Sequence, residues 1–226
     1  FGGIPGRPIG DGPDGHSLWP SFTNVPNEFL ESYFPLRIEK YETVTDSGGA
    51  GLHRGGNAVR MVYRFLEDGE ISIHDDRWFT YPWGVNGGDP GERSKKILKR
   101  EDGTEEILPS KCDRVVVKKD DMLAFETWGG GGWGNPLNRG AEIVAADVDK
   151  GLVSIEGARR YGVVINSNGR LDEPATDRLR AEMKAGYDSD EIFNFGGTLE
   201  ELRSRCLEET GLKPPTPPVF TATRRS

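Results

Sequence analysis

The chain has 226 residues, of which 35% are hydrophobic and 29% are charged, and its formal net charge is −8 at pH 7. This composition is typical of a soluble globular protein, and the negative charge disfavours binding to nucleic acid or to an anionic membrane surface. The sequence has no stretch of eighteen apolar residues, so it predicts no membrane-spanning helix.

Cysteine use and the first residues bear on the cellular setting of the chain. Cys112 and Cys206 are far apart and form no CxxC pattern, so we expect two reduced thiols rather than a disulfide. Few cysteines and no signal-peptide pattern favour a cytoplasmic location. The sequence opens at Phe1 directly into a Gly/Pro/Asp-rich loop, so we expect a fragment, or one piece of a split or nicked protein.

The first part of the chain predicts an irregular segment followed by a β-rich domain. Residues 1–35 carry turn-forming residues at most positions and are expected to continue from an upstream region. In residues 36–137, short runs rich in β-branched and aromatic residues recur between turn clusters. The predicted strands are residues 36–44, 58–66, 70–75, 95–100, 104–108, 114–119 and 121–127.

Two local patterns support the strand assignment. In residues 58–66, apolar side chains alternate with Arg60 and Arg64, as in a strand with one buried face. Asp102-Gly103 lies between two predicted strands and tolerates the primed turn of a hairpin. Regular short strands without intervening helices predict a mainly β fold, either an antiparallel sandwich or a barrel-like sheet.

Residues 138–212 predict a small helical appendage, which makes the whole chain α+β. Thr198 and Glu201 form a capping box for the last helix, in which Leu199, Leu202, Cys206 and Leu207 line one face. Residues 213–226 predict an extended, exposed tail. The predicted elements are helices over 139–150, from Ser154 to Arg160, over 174–185 and over 199–210, with a return strand over 161–165.

The run Trp128-Gly129-Gly130-Gly131-Gly132-Trp133-Gly134 is the most unusual feature of the sequence. Ordering four consecutive glycines costs much backbone entropy, so the run is expected to fix a special backbone shape for close packing, a ligand or a partner subunit. It formally satisfies the GxGxxG pattern, but Asn135-Pro136 follows where a dinucleotide fold would begin a helix. We therefore favour a tight structural loop, with a contact to a neighbouring subunit as one role.

A second loop, residues 82–88, again combines a tryptophan with glycines. Rigid aromatic rings are favoured both in pockets and at interfaces, although core packing is the commoner role of tryptophan in a β-rich chain. The candidate substrate or interface residues in the two loops are Trp83, Asn86, Trp128, Gly130, Gly131 and Trp133.

His74 and Asp76 are the candidate catalytic residues, at the end of the third predicted strand. Alternation places them on one face, with Asp75 and Arg77 on the other, and imidazole beside carboxylate suits general-base or metal chemistry. The alternative is a solvated strand end with an Asp–Arg pair. Asp11, Asp14 and His16 also cluster, but Asx turns explain aspartates on a glycine-rich loop, and His53 is interpreted as a turn residue. No complete metal site is predicted from this chain.

Five segments together resemble the C-terminal part of the hydantoinase B / 5-oxoprolinase family. The match is carried by unusual motifs that occur in the family's order. The segments are residues 34–56 (FPLRIEKYETVTDSGGAGLHRGG), 63–70 (YRFLEDGE), 75–94 (DDRWFTYPWGVNGGDPGERS), 108–137 (LPSKCDRVVVKKDDMLAFETWGGGGWGNPL) and 148–165 (VDKGLVSIEGARRYGVVI).

The resemblance implies an enzyme that works as a complex. Family members act beside a hydantoinase A-like ATPase subunit, which phosphorylates the amide oxygen of a small cyclic substrate, while a related branch carboxylates ketones. ATP and a divalent metal are thus implied for the complex and not for this chain alone. The family's metal-binding positions lie in the N-terminal portion of the same hydantoinase B-like subunit, so none is transferred to a residue of this sequence.

The expected function is ATP-dependent opening of a cyclic amide or imide, such as a hydantoin or 5-oxoproline, by a complex of which this chain is one part. An ATP-dependent ketone carboxylase of the acetone or acetophenone type is the second interpretation. A non-catalytic assembly module is the third. Under all three interpretations this chain alone is expected to be inactive, and its partners include neither nucleic acid nor membrane.

Overall fold

The computed structural model of the protein describes residues 1–17, 23–184 and 192–216. It has the expected α+β architecture, dominated by antiparallel strands. The strands are β1 Leu36–Thr43, β2 Val59–Phe65, β3 Gly69–His74, β4 Gly84–Val85, β5 Lys95–Lys99, β6 Glu105–Ile107, β7 Lys111–Val117, β8 Met122–Glu126 and β9 Phe193–Asn194. The α-helices are α1 Asn27–Tyr33, α2 Ala141–Asp149, α3 Glu173–Lys184 and α4 Leu199–Thr210, with 3₁₀ helices at Pro136–Asn138 and Gly157–Tyr161.

Two antiparallel sheets share one hydrophobic core. The larger has the strand order β1-β2-β8-β5-β6, and the smaller pairs β3 with β7. Neither is closed into a barrel, so of the two expected architectures the barrel is wrong. Buried side chains from both sheets meet between them: Phe65, Ile73, Leu98, Leu108, Val117 and Leu123.

The predicted strands are confirmed to within a few residues at their ends. In β2, Phe65 is buried in the core, while Arg60 and Arg64 form ion pairs with Glu126 and Glu39, each at 2.6 Å. The predicted hairpin joins β5 to β6. Its turn differs from the expected primed type, because only Gly103 has a positive φ (+87°) among residues 101–104.

Two local expectations are wrong, and one pair of short strands was missed. Helix α1 forms within residues 1–35, although none of its residues is buried. The predicted strand over 161–165 is absent, because Gly162 turns the chain at φ +64° and only Ile165 makes an isolated bridge, to Leu171. The short strands β4 and β9 pair with each other and were not predicted.

The helical region follows the sequence pattern closely. The capping box of Thr198 and Glu201 is present. On the predicted apolar face of α4, Leu202 and Cys206 are buried. Leu199 and Leu207 are exposed, so half of that predicted face is wrong. Ser154 accepts a hydrogen bond from the Gly157 amide at 2.8 Å, but the helix here is 3₁₀ and begins only at Gly157. Residue 185 and tail residues 217–226 lie outside the described residues. Among those described, no helix is long and apolar enough to cross a membrane.

Glycine-rich segments form a second structural centre, here called the glycine bundle: residues 2–6, 10–15, 47–57, 84–92 and 128–134. The segments hydrogen-bond through their backbones, mostly without forming ladders of paired strands. The amides of Gly3, Gly6 and Gly49 donate to the carbonyls of Trp128, Gly131 and Gly130 at 2.7, 2.8 and 2.8 Å. The bundle therefore joins distant parts of the chain mainly through main-chain hydrogen bonds.

The four consecutive glycines are required by proximity to other backbones. A Cβ on Gly130 would lie 2.2 Å from the Ile4 carbonyl oxygen, and one on Gly131 would lie 1.9 Å from that of Trp83. None of the four has a positive φ, which in this run occurs only at Gly134 (+74°). Collagen needs glycine for the same reason, since no side chain fits where backbones crowd together.

Ion pairs to two buried arginines attach the N-terminal segment to the rest of the protein. Arg139 binds Asp11 through both terminal guanidinium nitrogens, each at 2.7 Å, and also binds Asp147 at 2.8 Å. Asp14 pairs with Arg54 at 2.8 Å. The expectation that Asx turns explain Asp11 and Asp14 is therefore wrong, because both carboxylates accept hydrogen bonds from groups that are distant in sequence.

The charge of Asp11 is stabilised by its partners. Burial by itself raises the pKa of the Asp11 carboxyl, but hydrogen bonds and charges from Arg139 and Arg54 outweigh burial and hold that pKa below its usual value. The ionised carboxylate therefore favours the folded state, and protonation weakens this contribution.

Substituting Gly130→Ala should destabilise the protein strongly. The added methyl group would collide with the Ile4 backbone, which cannot rotate away, so we expect a loss of about 3 kcal/mol of unfolding free energy. Urea unfolding followed by circular dichroism measures it. Gly10→Ala is the matched control in the same bundle, because no atom lies within 4 Å of its Cβ position. Equal stability of the two variants would contradict backbone crowding as the reason for glycine.

The stabilisation by Asp11 should disappear in acid. Because its pKa is lower in the folded than in the unfolded chain, its contribution is complete above the unfolded value of about 3.9 and is lost as pH falls through the folded value. The stability difference between wild type and Asp11→Asn should therefore be constant down to about pH 4 and shrink over the acid range below it. Denaturant unfolding across this range tests it, and a difference independent of pH would refute it.

Candidate functional site

Two adjoining cavities lie where β3 ends and the glycine bundle begins. The larger has a volume of about 300 Å³ and is lined by Phe1, Met61, His74, Asp75, Asp76, Phe125, Thr127 and Trp128. The smaller has a volume of about 210 Å³ and is lined by Gly3, Pro5, Asp76, Arg77, Pro82, Trp128 and Gly130. Asp76 and Trp128 line both cavities, so we treat the two together as the candidate site.

The structure brings four of the eight candidate residues together, namely His74, Asp76, Trp128 and Gly130. Trp83 contacts Arg77, which lines the smaller cavity, and the Arg77 guanidinium is 4.8 Å from the Trp83 ring centre. The other three lie elsewhere, so the two aromatic loops do not enclose one pocket.

The three remaining candidates have structural contacts. Gly131 is buried in the glycine bundle. The Trp133 ring packs on the His53 ring at 5.7 Å, and the backbones of these two residues exchange hydrogen bonds. Asn86 is exposed at φ +52°, and its amide donates to the Ile192 carbonyl at 2.8 Å. His53, expected as a turn residue, thus belongs to a backbone bridge.

His74 and Asp76 are both exposed and both paired with neighbours on β7. His74 Nε2 lies 3.2 Å from a carboxylate oxygen of Asp113, and Asp76 lies 3.3 Å from Lys111 Nζ. Hydrogen bonds from Ser72 and His74 lower the pKa of Asp113. The described residues contain no group of three His, Cys, Asp or Glu side chains placed to hold a metal ion.

Behind the site, Asp75 is buried against Lys96. The Lys96 ammonium contacts the Asp75 carboxylate and also Ser94 Oγ at 3.0 Å. Burial lowers the pKa of Lys96 to about 8, so the ammonium keeps its charge at neutral pH. The Asp–Arg pair expected at this strand end is therefore wrong, because the cation is Lys96.

Arg77 is the residue that sequence reasoning missed. Its backbone is left-handed at φ +63°, which ends the strand alternation, so Arg77 lines the same cavity as Asp76 instead of the opposite face. Ser94 fixes this conformation, since its amide donates to the Arg77 carbonyl at 2.9 Å and its hydroxyl donates to the Asp76 carbonyl at 2.7 Å. No sequence signal marks an arginine in this conformation, because left-handed residues are usually Gly, Asn or Asp.

The glycine run offers little to a nucleotide phosphate. The amides of Gly129, Gly130 and Gly132 already donate to the carbonyls of Glu92, Gly56 and Asp89 at 3.0, 2.8 and 2.8 Å. A phosphate-binding loop needs such amides to be available for the ligand. Contacts within the protein thus explain the GxGxxG pattern here.

Comparison with known proteins assigns the family. The family described as Hydantoinase B/oxoprolinase matches residues 1–136. The chain belongs to the hydantoinase B/oxoprolinase family. The beta chain of the caprolactamase of Pseudomonas jessenii is 36% identical over 160 residues, which cover 68% of this chain and 27% of that relative. The B-type component of a putative D-/L-hydantoinase of Pseudomonas sp. is 33% identical over 183 residues, which cover 80% of this chain and 30% of that relative.

Solved structures agree with the sequence comparison. The ATP-dependent caprolactamase from Pseudomonas jessenii matches with a TM-score of 0.65 and 32% identity, over 80% of this chain and 32% of that chain. Nucleotide-free acetone carboxylase matches with a TM-score of 0.66 over 89% of this chain and 32% of that chain, but at 20% identity it shows the fold alone. This hydantoinase B/oxoprolinase chain spans 27% of the length of the caprolactamase relative and 30% of the length of the hydantoinase relative.

Removing the Lys96 ammonium behind the site should lower the free energy of unfolding more than removing an exposed ammonium. Lys96→Met would leave the Asp75 carboxylate buried without its partner, so we expect a loss of about 3 kcal/mol. Adding Asp75→Asn should recover most of it, because the unpaired charge is then gone. Lys118→Met, which breaks the exposed pair with Asp68, is the control and should change little. Thermal and urea unfolding measure all three variants, and equal losses for Lys96 and Lys118 would contradict the assignment.

Proposed function

We propose that this chain is the C-terminal part of a hydantoinase B-like subunit in an ATP-dependent complex that opens a cyclic amide or imide. The observation that carries the proposal is the combined sequence and structural similarity to caprolactamase from Pseudomonas jessenii. The similarity to a component of a putative hydantoinase supports the same substrate class, in which a ring amide bond is hydrolysed. Hydantoins, 5-oxoproline and related lactams are the proposed substrates.

The proposed reaction depends on a partner that supplies nucleotide chemistry. A hydantoinase A-like ATPase subunit would phosphorylate the amide oxygen and so convert a poor leaving oxygen into phosphate. Both relatives are named as one subunit of a larger enzyme, which supports an assembly with more than one kind of chain. The N-terminal portion of the same hydantoinase B-like subunit is the second proposed partner.

The implied divalent metal does not fit the candidate site of this chain. His74 is engaged by Asp113 and Asp76 by Lys111, and no third ligand joins them among the described residues. We therefore route no step through a metal at this site. The chain's proposed contribution is a rigid wall of the reaction chamber, which limits the access of water to an activated intermediate.

A ketone carboxylase is the second proposed function, because the fold also matches acetone carboxylase. An assembly module is the third, because both candidate catalytic side chains are exposed and paired. The three alternatives predict different dependences of turnover on bicarbonate and on His74 and Asp76, so experiments can distinguish them.

ATP hydrolysis by the complex purified from its source tests the proposal. We expect ADP release to rise when hydantoin, 5-oxoproline or caprolactam is added, and the ring-opened product to form without bicarbonate. Turnover with acetone or acetophenone that requires bicarbonate would overturn this assignment in favour of a carboxylase. Mass spectrometry of the products distinguishes hydrolysis from carboxylation in the same samples.

Single substitutions in the assembled complex test the assembly alternative. His74→Ala and Asp76→Ala remove exposed side chains, so neither should prevent folding or assembly. Loss of turnover in a complex that still assembles would assign the site to the reaction. Unchanged turnover would assign it to structure. Native mass spectrometry provides the assembly measurement.

A further inference from the structure

Arg77 presents a guanidinium that the described part of the protein leaves without an anionic partner. The side chain is half-buried, and no ion pair or hydrogen bond of its guanidinium is formed with the described residues. Its contact is the stack on Trp83 at 4.8 Å. Guanidinium carries five N–H donors in a fixed fork, so a stacked arginine keeps donors at its edge for an oxygen ligand.

The backbone around Arg77 is held in place by buried polar groups. A left-handed arginine is strained, and such strain persists only where the surrounding structure enforces it. Here Ser94 binds the carbonyls of both Asp76 and Arg77, and Ser94 itself contacts the buried Asp75–Lys96 pair. The arrangement holds Arg77 in the wall of the smaller cavity, with its guanidinium stacked on Trp83.

The cavity around Arg77 suits a small anionic ligand. Its volume is about 210 Å³, and its walls are Trp128, two prolines and two glycines. Asp76 is the one carboxylate that lines it, and Lys111 at 3.3 Å offsets this charge. Apolar walls with one fixed cation provide binding area together with a single point of orientation.

We propose that Arg77 binds an anionic oxygen group, carboxylate or phosphate, of a small molecule held against Trp128. Arginine binds both groups through two parallel hydrogen bonds, so this geometry serves either. The proposal deepens the proposed function, because the identity of the natural ligand rests on that function. Ring opening creates a carboxylate, and the activated substrate carries a phosphate. The role of Arg77 is therefore to orient the ligand.

Calorimetric titration of the full hydantoinase B-like subunit without nucleotide tests the proposal, with inorganic phosphate in one arm and acetate in the other. Arg77→Ala should weaken binding of the preferred anion about tenfold or more, as expected for lost hydrogen bonds to a charged group. Arg170→Ala, which removes an exposed arginine from a turn, is the control and should bind like wild type. The stronger arm identifies the preferred group.

Arg77→Gly separates ligand binding from a purely structural role. Glycine relieves the left-handed strain, so this variant should fold as stably as Arg77→Ala or more so, and yet bind the anion as weakly. Wild-type affinity in both variants, or no binding of either anion by wild type, would overturn the proposal. If anion binding depends on Arg77 but the complex does not turn over cyclic amides, only the proposed function is refuted. If the complex turns over cyclic amides but Arg77→Ala binds the anion like wild type, only this inference is refuted.

Discussion

Close contact between glycine backbones is the constraint on which the rest of this structure depends. Five segments from the first 134 residues approach so closely that a methyl group at most of their glycines would overlap a neighbouring carbonyl. Amide-to-carbonyl hydrogen bonds join them, and the cost of ordering so many glycines is offset by contacts that no other residue permits. Trp128 and Trp133 flank this centre, one lining the candidate site and the other packing on His53.

The candidate site lies where this rigid centre meets the edge of the smaller sheet. Exposed His74 and Asp76 are carried by the end of β3, while the buried Asp75–Lys96 pair and Ser94 anchor the same segment from behind. Buried ion pairs are expensive to desolvate and therefore add little net stability, but they fix geometry strongly once formed. In this protein the fixed geometry includes a strained arginine, a pattern that recurs at ligand sites.

Family membership and the cavity give complementary information. The family relates the chain to proteins named as parts of a caprolactamase and a hydantoinase. The cavity lined by Arg77 offers a binding place for a ligand and a positive charge. Its apolar walls and one cation would suit the anionic group that ring opening or phosphorylation creates. Function at this site would then belong to the whole assembly, with this chain supplying shape and orientation.

Local patterns in the sequence were enough to predict the seven main strands, the β5–β6 hairpin and the capping box of α4, because periodicity, turns and caps act between residues close in the chain. The family was indicated separately, by the resemblance of whole sequence segments. Local patterns also placed His74 and Asp76 together, since alternation is local. Tertiary contacts were needed to show that the glycine run serves backbone packing, that Asp11 and Asp14 bind distant arginines, and that Arg77 lines the cavity. These features depend on contacts between residues up to 128 positions apart, and such pairings leave no periodic trace in one sequence.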